Sequence, residues 1–306
     1  MNPDENRIDA RDWSLLGLLS VLWGGSFFFN GVVLRELPPL TVVFLRVALA
    51  ALILLPLLRV YGIRLPRTVA GWTPFFAIGL LNNVLPFSLI VMGQTWIPSG
   101  LASILNATTP LFTVVVMAVA GEERLHARRI AGVIVGLIGV IILRGEGLDG
   151  KGFGFETGQG IGILLCLAGA FSYGLAALVA RRLLSNSPPL ATATFQMLAS
   201  AAMMTVVAGV VDRPWQLPMP DMTTWLAVIG LAALSTALAY IVFFQILRRS
   251  GATNVMLVTL LIPVTALLLG YLVLGERISA REIAGALVIG SALLLIDGRV
   301  LKFLQR

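Results

Sequence analysis

Apolar residues run along this chain in long, nearly unbroken stretches, and short clusters of Gly, Pro and charged residues separate them. A helix needs roughly 20 apolar residues to cross the hydrocarbon core of a bilayer. On that rule ten spans are predicted, at 13–34, 40–60, 72–95, 98–120, 128–144, 159–182, 189–211, 225–247, 252–274 and 281–297. Every connection between them is short, which leaves no room for a soluble domain. The fold class expected is an all-α membrane protein.

The chain also repeats itself. Glu-Arg-Leu-His-Ala-Arg-Arg-Ile-Ala-Gly at 123–132 returns as Glu-Arg-Ile-Ser-Ala-Arg-Glu-Ile-Ala-Gly at 276–285. The register holds elsewhere: Trp23-Gly24 with Tyr173-Gly174, Pro38-Pro39-Leu40 with Pro188-Pro189-Leu190, Gln94 with Gln245, Ser99-Gly100 with Ser250-Gly251, and Pro110 with Pro263. Each copy holds five spans, an odd number, so the second lies inverted relative to the first. Inverted repeats of this kind hold substrate between the copies in many secondary transporters. The expected domains are a cytoplasmic N-terminus at 1–12, a first five-helix repeat at 13–144, an external Gly-rich linker at 145–158, a second, inverted repeat at 159–299 and a cytoplasmic C-terminus at 300–306.

Composition narrows the function. The chain is 58% hydrophobic and 12% charged, with a mean hydropathy of +0.94. Soluble domains carry about 25% charged residues, so a globular enzyme is excluded. The net charge of +7 belongs to helix ends, where Lys and Arg set orientation and meet anionic lipid, and nucleic acid is not an expected partner. With both termini in the cytoplasm, fifteen of the 22 basic residues fall on inner segments and six on outer ones, with Arg46 inside a span. The expected location is a bacterial inner membrane, crossed many times. The single cysteine, Cys166, lies in an apolar run and is read as a packing residue.

Taken together, Trp23-Gly24, the Pro38/Pro39…Arg46 entry to the second span, the mid-span Pro110 and Pro263, and the Gly121-Glu122 and Gly275-Glu276 boundaries resemble the drug/metabolite transporter superfamily in its ten-span EamA-type form. The resemblance covers nearly the whole chain. It implies a solute carrier, often an exporter of amino acids or other metabolites, within that superfamily closest to exporters of aromatic and other neutral amino acids. It also implies a central cavity lined by helices one to four and six to nine, with helices five and ten at the side.

Polar side chains at membrane depth mark function first. The expected cavity residues are Trp23, Asn82, Asn83, Asn106, Thr109, Tyr173, Ser235, Thr236, Tyr240 and Thr259. Each amide or hydroxyl has a second reading, as a hydrogen bond joining helices. Pro110 and Pro263 each remove an amide hydrogen bond and free a carbonyl one turn earlier, at Asn106 and Thr259, and are expected as hinges, a static kink being the alternative. Arg46 stands about 9 Å along its helix from Leu40, at 1.5 Å per residue. It is either an anchor for a substrate carboxylate or a structural clamp, and its counterpart in the second copy is Gln196.

No Asp or Glu is placed at mid-membrane. Proton-coupled exporters of lipophilic cations rely on such a group, so a neutral or zwitterionic solute is preferred over cationic drugs, and a multidrug, cationic-compound or nucleoside efflux carrier is the alternative. An intramembrane enzyme or a receptor is the alternative of a different class, but no His/Asp, Ser/His or Glu cluster lies in a span. The expectation is therefore a non-enzymatic exporter that needs no metal or cofactor. It would work on a small-molecule substrate in a lipid bilayer, as a monomer or weak homodimer, by alternating access. Glu123-Arg124 and Glu276-Arg277 are expected as ion pairs, Gly132…Gly136 as a helix-packing face within the chain or between two chains, and Gly145–Gly152 as linker.

Overall fold

The computed structural model describes residues 9–123, 126–144, 158–255 and 257–297. Among them it is all-helical. Helix is the element that satisfies its own backbone in hydrocarbon. The ten helices are α1 (Ala10–Val33), α2 (Pro39–Val60), α3 (Val69–Gly93), α4 (Ser99–Val119), α5 (Ala127–Arg144), α6 (Gln159–Leu183), α7 (Pro189–Val211), α8 (Met222–Val255), α9 (Val258–Leu274) and α10 (Ala280–Asp297). Seven of these are long and apolar enough to cross a membrane by themselves. α9 is slightly short, and α5 and α10 carry three charged residues each at their ends.

The starts are written locally. Asp9, Thr68 and Asp221 cap α1, α3 and α8 by accepting from the N–H of Asp12 (2.7 Å), Gly71 (3.1 Å) and Thr224 (2.7 Å), as short polar side chains do for orphan amides. Pro39 and Pro189 occupy the first turns of α2 and α7, where the missing N–H costs nothing. Ser279 and Glu282 form a capping box at α10: the Ser279 N–H donates to the Glu282 carboxylate (2.7 Å) and the Glu282 N–H to Ser279 Oγ (3.2 Å).

Packing follows the duplication. α1 lies against α9 and α8, and its counterpart α6 lies against α4 and α3. α2 packs on α7 and α5 on α10, each pair being counterparts of one another. Five helices in each copy make the copies antiparallel, and their seam runs through the middle of the bundle. In lipid there is no water to expel between helices, so small residues that let backbones approach carry much of the association. A methyl added at Gly285 would meet the Leu143 side chain at 2.5 Å, and one at Gly139 would meet the Ile289 side chain at 2.7 Å and its amide nitrogen at 3.1 Å. Gly132 faces Ile296 on α10 and Gly136 faces Leu111 on α4, so both glycines of that face pack within the chain.

Three differences from the sequence reading have physical causes. The helix begun at Ala239 runs on to Val255, whereas a break was expected before 252. In the first copy Pro98 stops the helix ahead of Ser99; the second copy has Arg249 at the matching place, so nothing interrupts the backbone. α3, α8 and α9 each contain a π turn, at Leu80–Val84, Ala233–Leu238 and Gly270–Leu274, which hydropathy does not reveal. Glu276 forms no ion pair among the described residues; it caps α4 instead. Glu123 pairs with Arg129 and Arg181, while Arg124 and the 145–157 part of the linker lie outside the described residues.

Candidate functional site

A cavity of about 870 Å³ lies along the seam. Its wall draws on α1 to α4 and α6 to α9, with α5 and α10 contributing only near the mouth, through Arg128, Arg129, Leu293, Ile296 and Asp297. The lining reaches the connections at Glu123 and at Leu184, Ser185 and Ser187. Toward the opposite face it stops at Asn30, Arg46, Ile90 and Val91, all inside their helices. The cavity therefore opens on the Glu122 face and is closed on the Glu276 face.

Carboxylates bridging the two copies close that second face. Glu276, following Gly275 in the left-handed region (φ 71°), accepts from the Ser99 N–H (2.8 Å), Ser99 Oγ (2.7 Å) and the Gly100 N–H (3.2 Å). Asp212 accepts from the Thr41 N–H (2.7 Å) and hydroxyl (3.0 Å), and Glu36 accepts from the Asp221 N–H (2.9 Å). Two of these carboxylates sit at helix N-termini, where free amides and the helix dipole favour negative charge. On the other face Glu122 accepts from Arg182 (2.7 Å). That hydrogen bond, helped by the charges of Arg182 and Arg181, holds the Glu122 carboxyl below the usual glutamate range.

Of the residues expected from sequence, Trp23, Arg46, Asn82, Asn106, Thr109, Pro110, Tyr173, Ser235, Tyr240 and Thr259 line the cavity. Asn83 and Thr236 stand behind the wall. Asn82 Nδ2 donates to Gln196 Oε1 (3.1 Å) and to the Tyr240 hydroxyl (3.0 Å), and that hydroxyl donates to Asn83 Oδ1 (3.3 Å). Asn83 Nδ2 donates in turn to Ser200 Oγ (3.0 Å). Three helices, α3, α7 and α8, are tied by these bonds, and the Asn83–Ser200 pair adds to the network from behind the wall.

The π turns explain the placement. A π turn shifts the hydrogen-bonding register by one residue and releases carbonyls, and such turns recur at functional sites. In α8 the Leu231 carbonyl accepts from Thr236 Oγ1 (2.9 Å), and Thr236 Oγ1 in turn accepts from Arg46 Nε (2.9 Å). In α3 the Leu81 carbonyl accepts from Ser172 Oγ of α6 (2.7 Å). The two turns occupy nearly the same register in the two copies and carry Asn82, Asn83, Ser235 and Thr236.

Pro110 and Pro263 differ in setting. α4 breaks at Ala107–Thr108 and resumes with Pro110 in its first turn, whereas the helix from Val258 to Leu269 runs through Pro263, which does not line the cavity. Sequence reasoning also passed over Asn30, whose Nδ2 donates to Gln94 Oε1 (2.8 Å) while Gln94 Nε2 donates to the Phe27 carbonyl (3.0 Å). The signal was an amide inside a predicted span, close enough to its end to read as interfacial. Among the described residues no group of His, Cys, Asp and Glu is arranged to hold a metal.

The chain resembles named proteins along nearly its whole length. A "Probable amino-acid metabolite efflux pump" of Salmonella typhimurium is 28% identical over 294 residues, covering 94% of each chain. The Escherichia coli protein of the same name is 26% identical over 296 residues, again 94% of each. An "Uncharacterized inner membrane transporter YedA" of Escherichia coli is 27% identical over 279 residues, covering 91% of this chain and 88% of that one. A solved structure titled "Crystal structure of protein" shares the fold, with a TM-score of 0.64 at 21% identity over 95% of this chain and 99% of the other. The EamA-like transporter family matches twice, at 12–145 and 160–297, once for each five-helix copy. A two-copy helical bundle with a cavity at its seam, matched by that family on both sides of the seam, is a multi-pass membrane transporter and no enzyme: this chain belongs to the EamA-like transporter family.

Proposed function

We propose that this transporter exports small neutral or zwitterionic metabolites, amino acids foremost, from the cytoplasm by alternating access. The observation that carries the reading is the wall of the cavity. Amides, hydroxyls and aromatic rings from both copies line it, and the carboxylates on its lining, Glu123 and Asp297, stand at the mouth. Such a surface suits an amphipathic solute with an apolar side chain, and the names of the two efflux-pump relatives point the same way. With both termini cytoplasmic, the open mouth faces the cell interior and the Glu276 face is the outer gate.

Transport then requires the two faces to exchange states. Inverted copies do this by swapping conformations about a fixed site. The copies differ in the way this requires. Glu276 caps Ser99, while its counterpart Glu123 is held by arginines. The break before Pro110 is the bending point in the first copy, and Pro263 inside α9 is its counterpart in the second. The test is uptake of radiolabelled amino acids, nucleosides and cationic dyes into proteoliposomes, with and without a pH gradient. Amino-acid transport is expected; gradient-driven uptake of dyes alone refutes the reading.

A further inference from the structure

Among the described residues Arg46 is the one charge set deep in the closed half of the cavity, and the structure does little to neutralise it. The residue is 6% exposed and lines the cavity. Its guanidinium lies 3.7 Å from the centre of the Phe87 ring, and Nε donates to Thr236 Oγ1. Among the described residues it has no carboxylate partner and no second hydrogen bond. A charge buried without a counter-ion is expensive. A structural clamp would commit its guanidinium to carbonyls or acids, as Arg249 does by donating from Nη2 to Asp9 and from Nε to Asp12. Arg46 instead uses its inner nitrogen to fix the plane of the guanidinium and stacks one face on an aromatic ring. The two terminal nitrogens are left for a planar anion, the arrangement that binds a carboxylate in bidentate fashion.

The same cavity holds unmatched acceptors. Asn30 Oδ1 and Asn106 Oδ1 are buried and make no hydrogen bond, and neither does Ser235 Oγ. Asn30 and Ser235 are 2% and 1% exposed. Gln94 fixes which way the Asn30 amide points, because its own nitrogen is committed to the Phe27 carbonyl. Two amide oxygens without donors suit an ammonium, which offers three N–H groups and no lone pair.

We infer that Arg46 determines specificity by receiving the substrate carboxylate, while the amide oxygens of Asn30 and Asn106 receive its ammonium group. The side chain of the solute then lies among Trp23, Phe243 and Phe244. This rests on the amino-acid reading above and adds that both charged ends are required. Phe87 and Thr236 are positioning residues for the guanidinium.

The test is binding of the twenty common L-amino acids to the purified, full-length protein by calorimetry. Each ligand found is compared with its carboxamide and its des-amino acid. The free amino acid is expected to bind at least about tenfold more tightly than either analogue, since each loses a charge-assisted hydrogen-bond set. Arg46→Gln should remove that preference over the carboxamide without changing carboxamide binding, and Arg46→Lys should restore part of it. Equal binding of acid and carboxamide by the unsubstituted protein overturns the inference and leaves amino-acid transport standing. Equal losses for both ligands in Arg46→Gln assign Arg46 to structure and overturn it too. Binding of no amino acid removes the inference together with the reading beneath it. The comparison of ligands on the unsubstituted protein decides the matter even if the variants do not fold.

Discussion

Removing the Glu276 carboxylate should open the face that this structure holds shut. In the closed arrangement the carboxylate satisfies two amides at the start of α4 and the Ser99 hydroxyl. A side-chain cap is worth about 0.5–2 kcal/mol, and a negative charge at a helix N-terminus adds about 0.3–1 kcal/mol. Opening that face separates Glu276 from Ser99, so Glu276→Ala acts on the closed state alone and shifts the equilibrium by the whole difference. About 1–3 kcal/mol corresponds to a five- to 150-fold rise in the open population. Glu276→Gln keeps an acceptor oxygen and should give a smaller shift. The readout is labelling of a cysteine at Val91, deep on the closed side of the cavity. A membrane-impermeant thiol reagent is applied from the Glu276 face, in a background where the buried Cys166 is replaced by Ala. Labelling should quicken five- to 150-fold in Glu276→Ala. An unchanged or slower rate in folded protein would show that the cap does not hold the gate.

Further outcomes separate the cavity wall from its supports. Asn82→Ala loses bonds to Gln196 and Tyr240 at the wall and should lower amino-acid transport about tenfold, the effect of about 1.4 kcal/mol, measured as initial uptake into proteoliposomes. Asn83→Ala should instead lower thermal stability in detergent by about 1 kcal/mol, since interhelical bonds average about 0.6 kcal/mol in a membrane and Asn83 joins Ser200 and Tyr240 behind the wall. Gly285→Leu should destabilise the α5–α10 pair by about 1–3 kcal/mol, the usual cost of overpacking; a thermal unfolding midpoint equal to that of the unsubstituted protein would refute the close-approach argument. Uptake should not change when a pH gradient is collapsed between about pH 6 and 8. The Glu122–Arg182 pair has its glutamate held low, so its contribution is present above the ordinary glutamate range. It is lost only as pH falls through that lower value.

The bilayer explains how much could be read in advance. A span must be apolar for about 20 residues, so all ten helices were legible, as were five spans in each copy and the seam between them. Asn82, Tyr173 and Tyr240 were legible for the same reason, because a polar group at membrane depth is rare without a use. Their partners were not. Asn82 meets Gln196 across 114 positions and Tyr240 across 158, distances over which periodicity carries no information. Asn30 was missed because depth alone does not say whether an amide faces lipid, a neighbouring helix or a cavity.

Sequence by itself determined the helices, the duplication and its inversion, since each depends on local hydropathy and on counting. Tertiary structure decided which way each helix turns its polar edge. π turns rotated Asn82 and Ser235 into the cavity and sent Asn83 and Thr236 behind it. Packing also decided that Arg46 meets Phe87 and Thr236 and, among the described residues, no acid. A span's apolarity is fixed by the lipid around it, whereas the direction of a side chain is fixed by neighbours that only the folded chain brings together.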